Sequence, residues 1–127
     1  MKGKGRRACQ EFKDLLLRVL PLESDDIVVT SSGDTGEDLK LSPKARNLFP
    51  FVLEVKNQEK LNIWDAYKQA EDHWFKKGNK EELYPLVAFK RNRSDMMICM
   101  EAEYFLDFLY QRGKKKEDPN DSGIHLP

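Results

Sequence analysis

The chain has 127 residues with 22 basic and 22 acidic side chains, so its formal net charge is zero. That size suits one domain with a single core, and the neutral balance argues against a simple cationic coat for nucleic acid. No apolar run approaches the roughly 20 residues that span a bilayer, and the basic start MKGKGRRACQEF has no apolar segment of signal-peptide length behind it. A cytoplasmic protein without membrane association is expected.

In chain order, residues 6–20 place Cys9, Phe12, Leu15, Leu16 and Val19 on one helical stripe, and Pro21 stops the helix. Residues 27–30, IVVT, are mostly β-branched and predict a short strand. SSGDTGEDLKL begins as a turn with two glycines and leads into a second short strand over 38–41. Ser42-Pro43 has the form of an N-cap followed by proline at the first helical position, so a short helix runs to Leu48. A third strand occupies 51–56. Asn62 then caps a helix over 63–77, with Asp65 suited to the dipole in its first turn. Its apolar stripe is Ile63, Trp64, Tyr67, Ala70, Trp74 and Phe75, and Gly78 ends it. Strands over 86–89 and 96–100 flank the basic turn KRNRSD. A last helix over 101–111 turns Tyr104, Phe105, Phe108 and Leu109 inward, and from Arg112 on the chain reads as a disordered tail.

The expected fold class is α/β, a mixed central sheet flanked by helices, with a domain over 1–111 and a tail over 112–127. Cys9 and Cys99 have neither CxxC spacing nor a nearby His cluster, so they read as reduced thiols and not as zinc ligands. His73 reads as a surface residue of its helix and His125 as part of the tail.

The third strand raises the chemical question. Phe51, Leu53 and Val55 form one face, and Glu54 and Lys56 share the other, because side chains two apart in a strand point the same way. A strand holding Asp38 alongside would bring two carboxylates together. Such an oxygen-rich site suits Mg2+, and a neighbouring lysine can stabilise charge on a phosphate.

The segment SSGDTGEDLKL followed by FPFVLEVKNQEKLNIWDAYKQAE resembles the PD-(D/E)xK nuclease superfamily. Within it, the likeness is to small Holliday junction resolvases of archaeal and phage-encoded type, over roughly residues 5–110. The resemblance implies a restriction-endonuclease-like αβββαβ core and a metal-dependent, structure-selective DNA endonuclease. Asp38, Glu54 and the Val55 carbonyl would hold Mg2+, with Mn2+ able to substitute, and Lys56 would be the catalytic lysine. Glu11, on the first helix, would hold the metal through water or bind a second ion, and Gln69 would position Lys56 or the phosphate. The family name has Pro before the Asp, whereas Glu37 stands there in this chain, so Glu37 and Asp34 remain alternatives to Asp38.

Lys2, Lys4, Arg6 and Arg7 lead into the first helix and Lys90, Arg91 and Arg93 cluster later, so both groups are candidate DNA contacts with Ser31 and Ser32 of the loop. The two-fold symmetry of a four-way junction implies a homodimer. Met96, Met97, Phe105 and Phe108 are candidate interface residues, with core packing as the plainer role for each. A restriction- or repair-type nicking endonuclease, or a non-cleaving DNA-binding protein with a nuclease-like fold, are the alternative functions.

Overall fold

The computed structural model describes residues 3–30, 37–77 and 82–116. Helix α1, Gly3–Val19, begins three residues earlier than its apolar stripe requires. It buries Ala8, Cys9, Phe12 and Leu16, which recur at helical spacing. Strands β1, Ile27–Val29, and β2, Leu39–Leu41, pair antiparallel with Ile27 opposite Leu41 and Val29 opposite Leu39. Those four side chains share one face. Ile27 and Leu39 are buried, and Val28 on the other face is exposed.

The short helix α2, Pro43–Leu48, starts as the sequence predicts: the Ser42 hydroxyl accepts from Ala45 N–H and donates to Asp26 Oδ1 at 2.7 Å. Strand β3, Phe51–Asn57, runs parallel to β4, Tyr84–Lys90, and helix α3, Ile63–Phe75, connects them. Parallel neighbours need such a crossover. Asn62 caps α3, its side chain accepting from the N–H groups of Trp64 and Asp65. Strand β5, Met97–Cys99, returns antiparallel to β4, and helix α4, Ala102–Lys116, closes the chain.

The molecule is thus α/β, with a mixed three-stranded sheet in the order β3-β4-β5 and helices packed about it. One side of the sheet, Phe51, Leu53, Val55, Leu86 and Ala88, joins the buried residues of α1, β1 and β2 in the main core. On the other side Val87 meets Ala66 and Ala70 of α3. Leu53 is 1 % exposed at the centre of this arrangement. Leu53→Ala is expected to cost about 2–5 kcal/mol of stability, read from the midpoint of urea unfolding.

Several expectations are corrected. The five strands of the described residues form two sheets: β2 pairs with β1 and not with the strand of Glu54 and Lys56, and the β1-β2 unit abuts β3 through the Asp38 N–H to Leu53 O bond at 3.2 Å. Helix α4 continues through Lys116, so the chain does not become a tail at Arg112, whose guanidinium donates to Leu48 O and lies over the Phe108 ring. In α3 the buried stripe is Ala66 and Ala70, while Trp64 is 81 % and Phe75 is 64 % exposed. A helix close against a sheet seats small residues at the contact and leaves bulky ones at its margins. Phe105 is exposed, whereas Phe108 stacks near Phe51 and Tyr84. Gly78 lies outside the described residues. No helix among the described residues is long and apolar enough to cross a membrane.

Candidate functional site

Glu54 stands in the middle of β3 on the face turned to α3, and only 4 % of it is exposed. Lys56, two residues on, shares that face and brings Nζ to 4.0 Å from Glu54 Oε1. From α3, His73 Nδ1 reaches Glu54 Oε2 at 2.5 Å. Asp38 arrives from the other side, immediately before β2. Its N–H donates to Leu53 O at 3.2 Å, and its Oδ2 accepts from Val55 N–H at 2.6 Å. Asp38 therefore docks on the edge of β3 that β4 leaves unpaired. The N–H and C=O of an extended residue point to the same side, so the Val55 carbonyl is directed to this edge as well.

The segment bearing Asp38 is held by neighbours. Thr30, which is buried, donates from its hydroxyl to the carbonyls of Glu37 and Asp38, and its N–H donates to Asp38 O. Glu37 is engaged by other partners. Its side chain is 4 % exposed and accepts two bonds from Arg46, at 2.6 and 2.7 Å, and one from Lys77 at 2.5 Å. Arg46 also donates to Phe51 O at the start of β3. A carboxylate neutralised by two cations is poorly placed to ligate a metal, so Glu37 serves as the anchor of its neighbour.

Burial pushes the Asp38 carboxyl above the ordinary aspartate range, against the opposing effects of the Val55 N–H, Lys56 and His73. Burial also pushes Glu54 up, the Asp38 charge adds to the rise, and His73 and Lys56 oppose it. Two desolvated carboxylates in one another's field favour the arrival of a cation. Cys9 of α1 feels both acids. Burial first, then the charges of Asp38 and Glu54, push its thiol up to about 12, which leaves it an inert core residue. Both cysteines are free thiols, as expected.

Among the described residues no group of three or more His, Cys, Asp and Glu side chains is spaced to cage an ion. Two carboxylates and a backbone carbonyl are nevertheless a fitting set for Mg2+, which keeps several waters and is usually held by one or two carboxylates. Asp38 Oδ1 and Glu54 Oε1 have no hydrogen-bond partner among the described residues, so each acid retains an oxygen for a cation.

The structure brings Asp38, Glu54, Val55 and Lys56 together and leaves other expected members outside. Glu11 pairs with Lys90, Oε1 to Nζ 2.9 Å, so neither joins the acids and Lys90 is not a free cation for phosphate. Gln69 is exposed and forms no side-chain hydrogen bond among the described residues. The side chain of α3 that meets Glu54 is His73, one turn later, and not a surface residue as its sequence context suggests. The signal that could have found it is spacing: His73 continues the Ala66 and Ala70 row of the buried helix face. Arg6, Arg7, Arg91 and Arg93 are exposed, and Arg93 adopts a left-handed backbone (φ 65°) in the turn between β4 and β5. Lys4 belongs to the first turn of α1. Lys2, Ser31, Ser32, Asp34 and His125 lie outside the described residues.

Comparison with family models, with characterised proteins and with solved structures found no match to this chain.

Proposed function

We propose that the chain is a Mg2+-dependent endonuclease of the PD-(D/E)xK type that hydrolyses phosphodiester bonds in branched DNA, four-way junctions above all. The observation that carries this reading is the meeting of Asp38, Glu54 and Lys56 at one edge of β3, with two acids raised by burial and an ammonium beside them. The element order from α1 to β4 supports it too, since it is αβββαβ once the short helix α2 is set aside.

Asp38, Glu54 and the Val55 carbonyl would hold the ion. When bound, a divalent cation there supplies Lewis acidity, which acidifies water and draws charge from a phosphate. Lys56 sits on the Oε1 side of Glu54, where its ammonium stabilises negative charge gathering on the phosphate. Arg6, Arg7, Arg91 and Arg93, all exposed, supply backbone contacts that read shape and charge and not bases. The substrate's symmetry calls for a homodimer, and Met97, Ile98, Phe105 and Leu106, exposed on β5 and α4, offer apolar surface for it.

The test is incubation of labelled four-way junction and matched linear duplex with Mg2+, Mn2+ or EDTA. Paired nicks in the junction alone are expected with either metal and none with EDTA. Lys56→Ala is expected to slow cleavage about 10²–10³-fold, the usual cost of removing a charge-stabilising donor. Equal nicking of both DNAs would point instead to a nicking endonuclease of restriction or repair type. Binding without cleavage would leave a DNA-binding protein, and cleavage indifferent to Lys56→Ala would overturn the site.

A further inference from the structure

We propose that His73 is the positioning residue for Glu54, fixing the carboxylate so that one oxygen remains available to a cation. This inference rests on the metal site described above. Glu54 is buried, and among the described residues its side chain has one hydrogen-bond partner, His73 Nδ1 at Oε2. Lys56, at 4.0 Å from Oε1, is too distant to fix the carboxylate by hydrogen bonding. The packing of α3 explains how an imidazole comes to this place. Ala66 and Ala70 bring the helix close to the sheet, and the next residue of that row, one turn on, is His73. An imidazole is rigid and has two rotatable bonds, so it holds its partner at small entropic cost.

With Oε2 held by His73, the carboxylate cannot turn freely about its last torsion, and Oε1 stays on the side of Lys56. Removing the ring leaves a buried acceptor unpaired and lets the carboxylate rotate. Groups that hydrogen-bond a metal ligand typically contribute 10–100-fold to metal affinity. Gln69, exposed and without a partner on β3, is expected to contribute nothing.

The experiment is calorimetric titration of the full chain with Mn2+, backed by the Mn2+ spin-resonance signal of free against bound ion. Wild type, His73→Ala, His73→Asn, Gln69→Ala and Glu54→Gln are compared, each checked for folding by circular dichroism. His73→Ala is expected to weaken Mn2+ binding 10–100-fold and Gln69→Ala to leave it unchanged. His73→Asn places an amide N–H near the Nδ1 position and is expected to recover much of the loss, which a merely space-filling role would not predict. Glu54→Gln is expected to abolish binding. If Glu54→Gln abolishes it while folded His73→Ala binds as wild type does, His73 is not a positioning residue and the metal site stands. If wild type does not bind Mn2+, or Glu54→Gln binds normally, the metal site and this inference fall together.

Discussion

Glu54→Gln is expected to slow metal-dependent cleavage at least about 10³-fold, roughly 4 kcal/mol of barrier, while making the metal-free protein more stable at neutral pH. Both effects have one origin. Glu54 is buried beside Asp38, and its carboxyl is pushed up first by desolvation and then by that neighbouring charge. For an acid whose folded pKa lies above its unfolded value, the folded state binds the extra proton between the two values. Stability therefore falls as pH rises through that window, and the cost of the charge is complete above the folded pKa. Glutamine carries no charge and keeps an oxygen to accept from His73. The gain of Glu54→Gln over wild type is thus expected to be negligible below the ordinary glutamate pKa and to grow as pH rises. It should reach about 1 kcal/mol, a few degrees in Tm, as is common when a destabilising buried charge is removed. Asp38→Asn is expected to behave alike, since burial raises that acid too. Thermal unfolding of the metal-free chain across pH measures this, and a Glu54→Gln protein less stable than wild type at neutral pH would sink the electrostatic account.

Glu37→Gln is expected to be the most damaging single polar substitution, costing about 3 kcal/mol. The Glu37 side chain is 4 % exposed and binds Arg46 and Lys77 together. Breaking a buried ion pair typically costs 3–5 kcal/mol because the surviving charge stays desolvated. The lower end applies here, since the Lys77 side chain is 38 % exposed and can turn to water. Arg46, at 20 %, has less room to retreat, so Arg46→Ala should cost more than Lys77→Ala. Against a typical total of about 5–15 kcal/mol, such a loss is plain in urea unfolding. The same anchor holds the backbone that presents Asp38, so Glu37→Gln is expected to lower Mn2+ affinity in the folded protein as well. A loss below about 1 kcal/mol would mean that the two cations are solvated without Glu37 and do not clamp the segment.

Glu37 and Asp38 are separated in role only by tertiary contacts. Adjacent acids in GED are equivalent as sequence, yet Glu37 is clamped by two cations while Asp38 docks on β3 as a candidate site residue. Their partners, Arg46, Lys77 and the Val55 N–H, are brought in by packing, as many as 40 residues away. The same holds for His73. Its ring meets a carboxylate 19 residues earlier, and nothing in the helical period says which strand residue stands opposite. Glu11 and Lys90 are 79 residues apart and looked like separate functional residues until the fold paired them.

What the sequence by itself determined is local and periodic. Alternation in FVLEVK put Phe51, Leu53 and Val55 against the core and Glu54 with Lys56 on the opposite face, because extended backbone has a period of two. The caps at Ser42 and Asn62 were legible because a side chain bonding its own next turn needs no distant partner. Only the tertiary structure decided that β2 pairs with β1, that Asp38 docks on the free edge of β3, and that α3 presents its alanines and His73 while Trp64 faces water. Those outcomes depend on which surfaces meet, and the close approach that favours small residues at a helix–sheet contact is a property of the packed pair, not of either segment alone.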